Sequence, residues 1–526
     1  MIKYKYWKIL ILQEWIRKMR MQHIDSGIKR ILFFLLFLLS FYWLFWSVRY
    51  IFSDVLPSIS HTFFLSLLVL GIVSGIIFYK SLKPLVIKIF KLLYTYRYFV
   101  IGILFIGQIV ISVFAQCLPN GDASILYKVA TAPPTHSGSS IRYFSLFPNN
   151  FLIFITFKIL NGIVTAPHLI LTVSILNALL IDGGILLLTG LADHLKGEKL
   201  ARIVFLESLF LFGLQPHFLS FYSDPATFFL MALLCYLVII NLDKAGIFRW
   251  FAIGLLFSIA YKIRVPIFIY LIALILLIIY RLIFDKKQVN LKRLFIRSLL
   301  LLLGMLTMIF AINFYAENQK FVEYDGKYTM SPWFFVDLGL TATGADHAAV
   351  SQDVKFLDAK GQFKPRSELE PQLKEDVKKR FSRFGTLGLI KHQSTKFKIF
   401  TQDGSLGWTA ENVLKEQNIV KTKFTNSKFG QKIRSVIYVG NPHYGNYALY
   451  LQIAWSIIIL GLVAYFKKFR QTSNFEFYLQ IVLFGVILYL SIFEAGRSRY
   501  LIQFLPAIIM LSSIGYLNYF NNRQNK

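Results

Sequence analysis

The sequence predicts an all-α, polytopic membrane protein, and three observations carry the prediction. Hydrophobic residues make up 56% of the 526-residue chain and aromatic residues 17%, with a mean hydropathy of +0.57, far more apolar content than a soluble core absorbs. Apolar runs long enough to cross a bilayer recur from residue 31 to residue 518. Lys and Arg collect between those runs and not on one soluble face. The net charge of +30 therefore reads as topology signal and lipid-headgroup contact, and a nucleic-acid partner is excluded.

Taken in order, spans are predicted at about 31–52, 61–79, 98–117, 168–191, 203–222, 225–241, 248–262, 265–283, 296–315, 447–465, 475–493 and 499–518. The first 30 residues are basic. The run after them is too long for a cleaved signal and lacks a small-residue cleavage site, so it is read as a retained span. Loop charge orients the set. The N-terminal segment has eight Lys and Arg and 80–97 (KSLKPLVIKIFKLLYTYR) has five, whereas 53–60 (SDVLPSIS) has none. Both termini are thus expected in the cytoplasm.

The run NFLIFITFKILNGIV (150–164) tests this map. Counted as a crossing, it would send the basic loops ADHLKGEKLAR (192–202), DKKQVNLKRLFIR (285–297) and KKFRQ (467–471) outside. Read as an interfacial or re-entrant helix, it keeps all three inside. The chain then divides into a basic cytoplasmic segment (1–30), a transmembrane module (31–315) with an external loop at 118–149, an extracellular domain (316–446), and C-terminal spans with a cytoplasmic tail (447–526). The extracellular domain is expected to be α or mixed α/β, with an amphipathic helix near 368–384. Cys117 and Cys235, one at the end of an apolar run and one inside another, predict neither disulfide nor zinc site.

Polar residues from four distant turns map to the external surface. Asp122 follows Pro119, Asn120 and Gly121 directly after a span, in a turn that lets the carboxylate look back at the membrane. Asp224 sits between two spans with Tyr222 and Ser223 before it and Pro225 after it, a position that also suits a helix cap. Lys262 and Arg264 share another turn. In FEAGRSRY, Glu494, Arg497, Arg499 and Tyr500 precede the last span. Basic residues at span ends commonly snorkel to headgroups, but external ones run against the positive-inside trend. Asp182 and Glu207 fall within spans and read as internally hydrogen-bonded packing groups. Arginine's planar fork suits phosphate, and a carboxylate can take the proton of an attacking alcohol. Together these groups fit sugar transfer from a lipid-phosphate carrier.

The segments GDASILYKVA, RYFSLFPNNFLIFITFKILNG, FYSDPATFFLMALL, AYKIRVPIFIYLIA and FEAGRSRYLIQFLPAIIML, in that order between about 98 and 518, resemble the GT-C superfamily of integral-membrane glycosyltransferases, especially the bacterial protein-mannosyltransferase and aminoarabinose-transferase type. The resemblance implies a GT-C-like fold of about 12 transmembrane helices plus an interfacial helix, and an acid of the first external loop, here Asp122, at the reaction centre. It implies a polyprenyl-phosphate-linked sugar donor and a cell-surface glycan, teichoic-acid-like polymer, lipid or protein acceptor. The remaining surface residues, Asp224, Tyr222, Lys262, Arg264, Glu494, Arg497, Arg499 and Tyr500, are read as substrate-binding.

Two departures matter. Many relatives of that type carry paired acids, but Ala123 follows Asp122, which weakens the case for the divalent cation the resemblance allows. Phe334 stands where a histidine is expected in the SPW segment. With no glycine-rich nucleotide loop, a soluble nucleotide-sugar donor is not expected. The alternative is a transporter or flippase for a lipid-linked saccharide or other anionic lipid, which would favour an inverted repeat and charges at the midplane.

Overall fold

The computed structural model describes residues 2–59, 66, 69–71, 73–74, 77–132, 139–241, 246, 248–284, 290–411, 414–493 and 496–524, with side chains from 24 onward except at 79, 139–141, 411 and 522–524. The described residues form helices and no strand, with isolated β-bridges only at Cys117–Ile419 and Leu357–Phe363. In chain order the helices are α1 (Ile2–Tyr50), α2 (Tyr79–Thr95), α3 (Arg97–Phe114), α4 (Asp122–Thr131), α5 (Ser139–Leu146), α6 (Phe151–Val164), α7 (Ala166–Lys196), α8 (Glu198–Ser208), α9 (Asp224–Asn241) and α10 (Phe248–Ile263). They continue with α11 (Phe268–Phe284), α12 (Leu291–Asn318), α13 (Pro332–Gly339), α14 (His347–Asp353), α15 (Arg366–Gln402), α16 (Trp408–Glu411), α17 (Lys428–Ile437), α18 (Tyr444–Phe466), α19 (Asn474–Ile492) and α20 (Leu505–Gln524).

Among the described residues nine helical stretches are long and apolar enough to span a membrane: Ile24–Ser58, Arg97–Phe114, Ala166–Lys196, Asp224–Asn241, Val265–Phe284, Leu291–Asn318, Tyr444–Phe466, Asn474–Ile492 and Ser498–Asn521. The expected spans at 203–222 and 248–262 are also helical but shorter. The first is α8 continued by the five-residue π-helix Leu209–Gly213, and the second is α10, with 16 residues. The run at 61–79 lies mostly outside the described residues. Helix α6 has 14 residues, about 21 Å at 1.5 Å per residue, well short of the ~30 Å hydrocarbon core.

Close helix contact replaces hydrophobic driving force inside a bilayer, so small residues mark the tightest interfaces. Helices α10 and α12 form such a pair: a Cβ on Gly254 would lie 2.2 Å from the Leu301 carbonyl oxygen, and one on Gly304 2.1 Å from that of Phe251. Ser258 Oγ donates across the same seam to the Met305 carbonyl at 3.1 Å. Neighbours bond both oxygens of the intramembrane Glu207 but only one of Asp182, whose Oδ2 is buried without a hydrogen-bond partner. Ser512 and Ser513 each donate to Glu207 at 2.8 Å, and Gln108 Nε2 reaches Asp182 Oδ1 at 3.4 Å.

The stretch 316–446 joins helices α13 to α17 by turns and loops, with no strand among its described residues, and is not packed apart from the bundle. Helix α15 begins as the amphipathic segment the sequence predicts, with Arg366–Glu370, Lys374–Glu370 and Lys379–Glu375 pairs one turn apart. It breaks at Gly385 (φ 58°), and the remainder runs down against α1 and α19. Trp43 and Trp455 both donate their indole N–H to the Thr401 carbonyl, at 2.9 Å each. Trp455 lies eleven residues inside α18, about 16 Å from its start. Residues 386–408 therefore form a re-entrant hairpin whose tip is buried among membrane helices.

Candidate active site

The hairpin tip and the helix ends around it enclose a cleft of about 410 Å³, lined by residues from every turn singled out in the sequence. Asp122 and Asn120 come from the start of α4, Tyr222 and Asp224 from the start of α9, and Arg264 from the end of α10. Arg497, Arg499 and Tyr500 come from the entry to the last span. Helix direction explains the convergence: α9 leaves the cleft at Asp224, α10 returns to it at Arg264, and the last span departs at Arg499. One end of the bundle thus gathers residues from widely separated turns.

Asp224 is the hub. Its side chain is 4% exposed and both oxygens are engaged: Arg264 Nη2 donates to Oδ1 at 2.8 Å and Arg499 Nε to Oδ2 at 2.8 Å. Ser223 Oγ accepts from Arg264 Nε at 3.0 Å. Both guanidiniums lie over the Tyr222 ring, Arg264 at 5.0 Å and Arg499 at 4.4 Å, and Arg264 also sits 6.0 Å from the Tyr500 ring. A buried carboxylate with two cationic partners and a ring face beneath them is an orienting device for those cations.

Asp122 is the other acid among the described residues of the cleft and is exposed to it. It lies within hydrogen-bond reach of Tyr143, whose phenol burial raises far above its usual range, with Tyr222 and Asp122 adding to the effect. Tyr143 therefore stays protonated beside the carboxylate. Its oxygen accepts from Asn150 Nδ2 at 2.5 Å, and Asn150 Oδ1 accepts from Tyr222 at 3.2 Å. This chain ties the Asp122 side of the cleft to the ring that carries the two arginines.

Some expected site residues lie elsewhere. Lys262 turns to α12, where its Nζ donates to Asn313 Oδ1 at 2.6 Å, and it does not line the cleft. Glu494 is outside the described residues. Conversely, the cleft contains His217 and His347, which no sequence signal singled out. His217 Nε2 is 3.2 Å from the Ser405 carbonyl. His347 packs 5.6 Å from the Phe334 ring, so a histidine from the next helix reaches the cleft beside the position where one was expected. Both are among only nine histidines in the chain, a scarcity that could have flagged them.

Among the described residues the donor set does not fit a divalent cation. Asp224 spends both oxygens on guanidiniums, which leaves Asp122 as the acid facing the cleft. Among the described residues no group of three or more His, Cys, Asp or Glu is arranged to hold a metal ion. With three arginines against two aspartates among its described residues, the cleft carries excess positive charge at one end of the bundle. That arrangement can hold an anionic group while one carboxylate remains open to solvent.

The family model described as "Conserved hypothetical integral membrane protein" matches residues 21–519. No curated protein matches the chain.

Proposed function

Starting from the chain's membership of this family of conserved hypothetical integral membrane proteins, we propose that it is a glycosyltransferase that moves a sugar from a polyprenyl-phosphate carrier to a cell-surface glycan, polymer, lipid or protein at the external membrane face. The observation that carries the reading is the meeting of Asp122 with Arg264, Arg497 and Arg499 in one cleft at the end of a membrane bundle. The resemblance to GT-C glycosyltransferases of the protein-mannosyltransferase and aminoarabinose-transferase type points the same way.

In this reading Asp122 takes the proton of an acceptor hydroxyl, whose oxygen bonds to the anomeric carbon as the carbon–oxygen bond to the carrier phosphate breaks. The carrier passes from a phosphodiester bearing one negative charge to a monoester bearing up to two. Arginines preset around the phosphate stabilise that added charge. Asp224 does not take part in proton transfer and orients Arg264 and Arg499. The charges gather at one end of the helices and not at the midplane, which favours transfer over the transport reading.

The test is transfer from a polyprenyl-phosphate-linked sugar by purified wild type and Asp122→Asn. Transfer by wild type that the variant loses supports the proposal, and equal turnover removes Asp122 from it. Sidedness is tested separately on intact cells. With Cys117 and Cys235 buried, an impermeant thiol reagent should label Lys360→Cys and spare Lys199→Cys, and the reverse pattern overturns the external site.

A further inference from the structure

We propose that the tip of the re-entrant hairpin, Asp403–Trp408, is a positioning element that sets Arg499 for anion binding, a role that rests on the reading of the cleft as a phosphate site. The tip is held from all sides. Gln452 donates to the Gln402 carbonyl at 2.7 Å and accepts from the Gly404 N–H at 2.7 Å, while Gln215 donates to the Gly404 carbonyl at 2.9 Å. Asp403, 6% exposed, accepts from the Ser405 N–H and Oγ at 2.8 Å each and from the Gly407 N–H at 3.3 Å. Its fourth partner is Ser498 Oγ at 3.3 Å, the residue next to Arg499.

These bonds hold a backbone that would otherwise relax. Leu406 has φ 52°, a left-handed conformation uncommon for a branched side chain, and Gly407 follows at φ 85°. Such conformations persist only where the surroundings impose them, and they concentrate at functional sites. Gly407 lies directly under Arg499: a Cβ there would fall 2.7 Å from Arg499 Cβ and 3.3 Å from its backbone nitrogen. With the main chain fixed by Gly407 below and by Ser498 on Asp403 beside it, the Arg499 side chain leaves toward Asp224 and over Tyr222. The hairpin thus fixes the arginine's root as Asp224 fixes its head.

The experiment compares Gly407→Ala with Gly440→Ala, since Gly440 has φ +86° but nothing within 4 Å of where its Cβ would stand. Both variants strain the backbone and should lower the thermal midpoint. Only Gly407→Ala should weaken binding of a polyprenyl phosphate, by roughly tenfold or more, and displace Arg499 from Asp224 in a structure of the variant. Ser498→Ala, which adds no strain, should weaken binding several-fold and serves if Gly407→Ala does not fold. Wild-type affinity in folded Gly407→Ala and Ser498→Ala, with the Arg499–Asp224 contact in place, overturns the proposal. If wild type itself does not bind polyprenyl phosphate, the phosphate reading fails, and the Arg499–Asp224 contact in the variant structure still decides whether the hairpin positions the arginine.

Discussion

Two charge clusters in this protein have opposite stoichiometry. In the cleft one carboxylate, Asp224, holds two guanidiniums. In the layer beside it one guanidinium, Arg380, meets three carboxylates at 2.8 Å: Asp337, Asp376 and Asp353. Excess cations left in an open cleft suit an anionic ligand. Excess acids packed where Asp337 is fully buried suit a proton, because two carboxylates that share a site cannot both ionise cheaply. The first cluster is built to receive something, and the second is built to close.

The largest loss is expected at Asp224. Its replacement by Ala leaves two part-buried guanidiniums without their partner, and removing one member of a buried pair costs on the order of 3–5 kcal/mol. Asp224→Ala should therefore lose both folded protein in a thermal melt and all transfer. A variant that melts like wild type would show that the arginines do not depend on it. Asp122 predicts the complementary outcome. Asp122→Asn keeps shape and hydrogen bonding but cannot accept a proton, so transfer should fall by about 10²–10⁴ while the melt is unchanged. A matching loss of stability would place Asp122 among the structural acids.

Arg499→Lys separates charge from geometry in the cleft. Charge is kept, but the fork that reaches Asp224 while facing a ligand is lost, so we expect about a tenfold loss in affinity for a polyprenyl phosphate. Unchanged affinity would make Arg499 a headgroup anchor.

Much of the cleft was legible because its residues sit at span ends, where hydropathy changes abruptly and an Asp or Arg stands out. The turn holding Asp224 and Pro225, the AYKIRVP turn and EAGRSRY all stand out this way. What could not be read was pairing across the chain: nothing near Asp224 announces a partner 275 residues away. Lys262 and Arg264 look equivalent in sequence, yet the helix sends one to Asn313 and the other to Asp224. The re-entrant hairpin was hidden for a different reason. Its sequence GTLGLIKHQSTKFKIF carries four basic or histidine positions and reads as soluble. Lys396 is fully buried all the same, with its ammonium on the carbonyls of Ser491 at 2.7 Å and Phe493 at 2.8 Å, at the C-terminal end of α19. A cation at the negative end of a helix dipole can be buried at a place composition assigns to solvent.

The smallest effect belongs to the acid-rich cluster and concerns pH. Burial, with Asp376 beside it, pushes the Asp337 carboxyl up to about 7 against the pull of Arg380. An unfolded aspartate titrates near 4, so the folded state binds the extra proton between those values. Stability from this group is fully present below about pH 4 and is lost as pH rises through about 7. The groups facing Asp337 come from two elements: Asp376 and Arg380 on α15, and Asp353, through Arg380, on α14. His392, on the lower part of α15, donates from Nε2 to the Gly339 carbonyl at the end of α13, at 3.0 Å, and burial lowers its pKa below the usual imidazole range. A buried neutral histidine that must be protonated at low pH opposes the aspartate there, so the two are separated by mutation and not by pH alone. Wild type should lose thermal midpoint between pH 6 and 8, and Asp337→Asn, which supplies a permanent neutral donor, should flatten that slope while leaving polyprenyl-phosphate binding at pH 7 unchanged. Persistence of the full slope in Asp337→Asn would assign it to another group. A matched loss of binding would mean that the closed cluster and the open cleft are one electrostatic unit and not two.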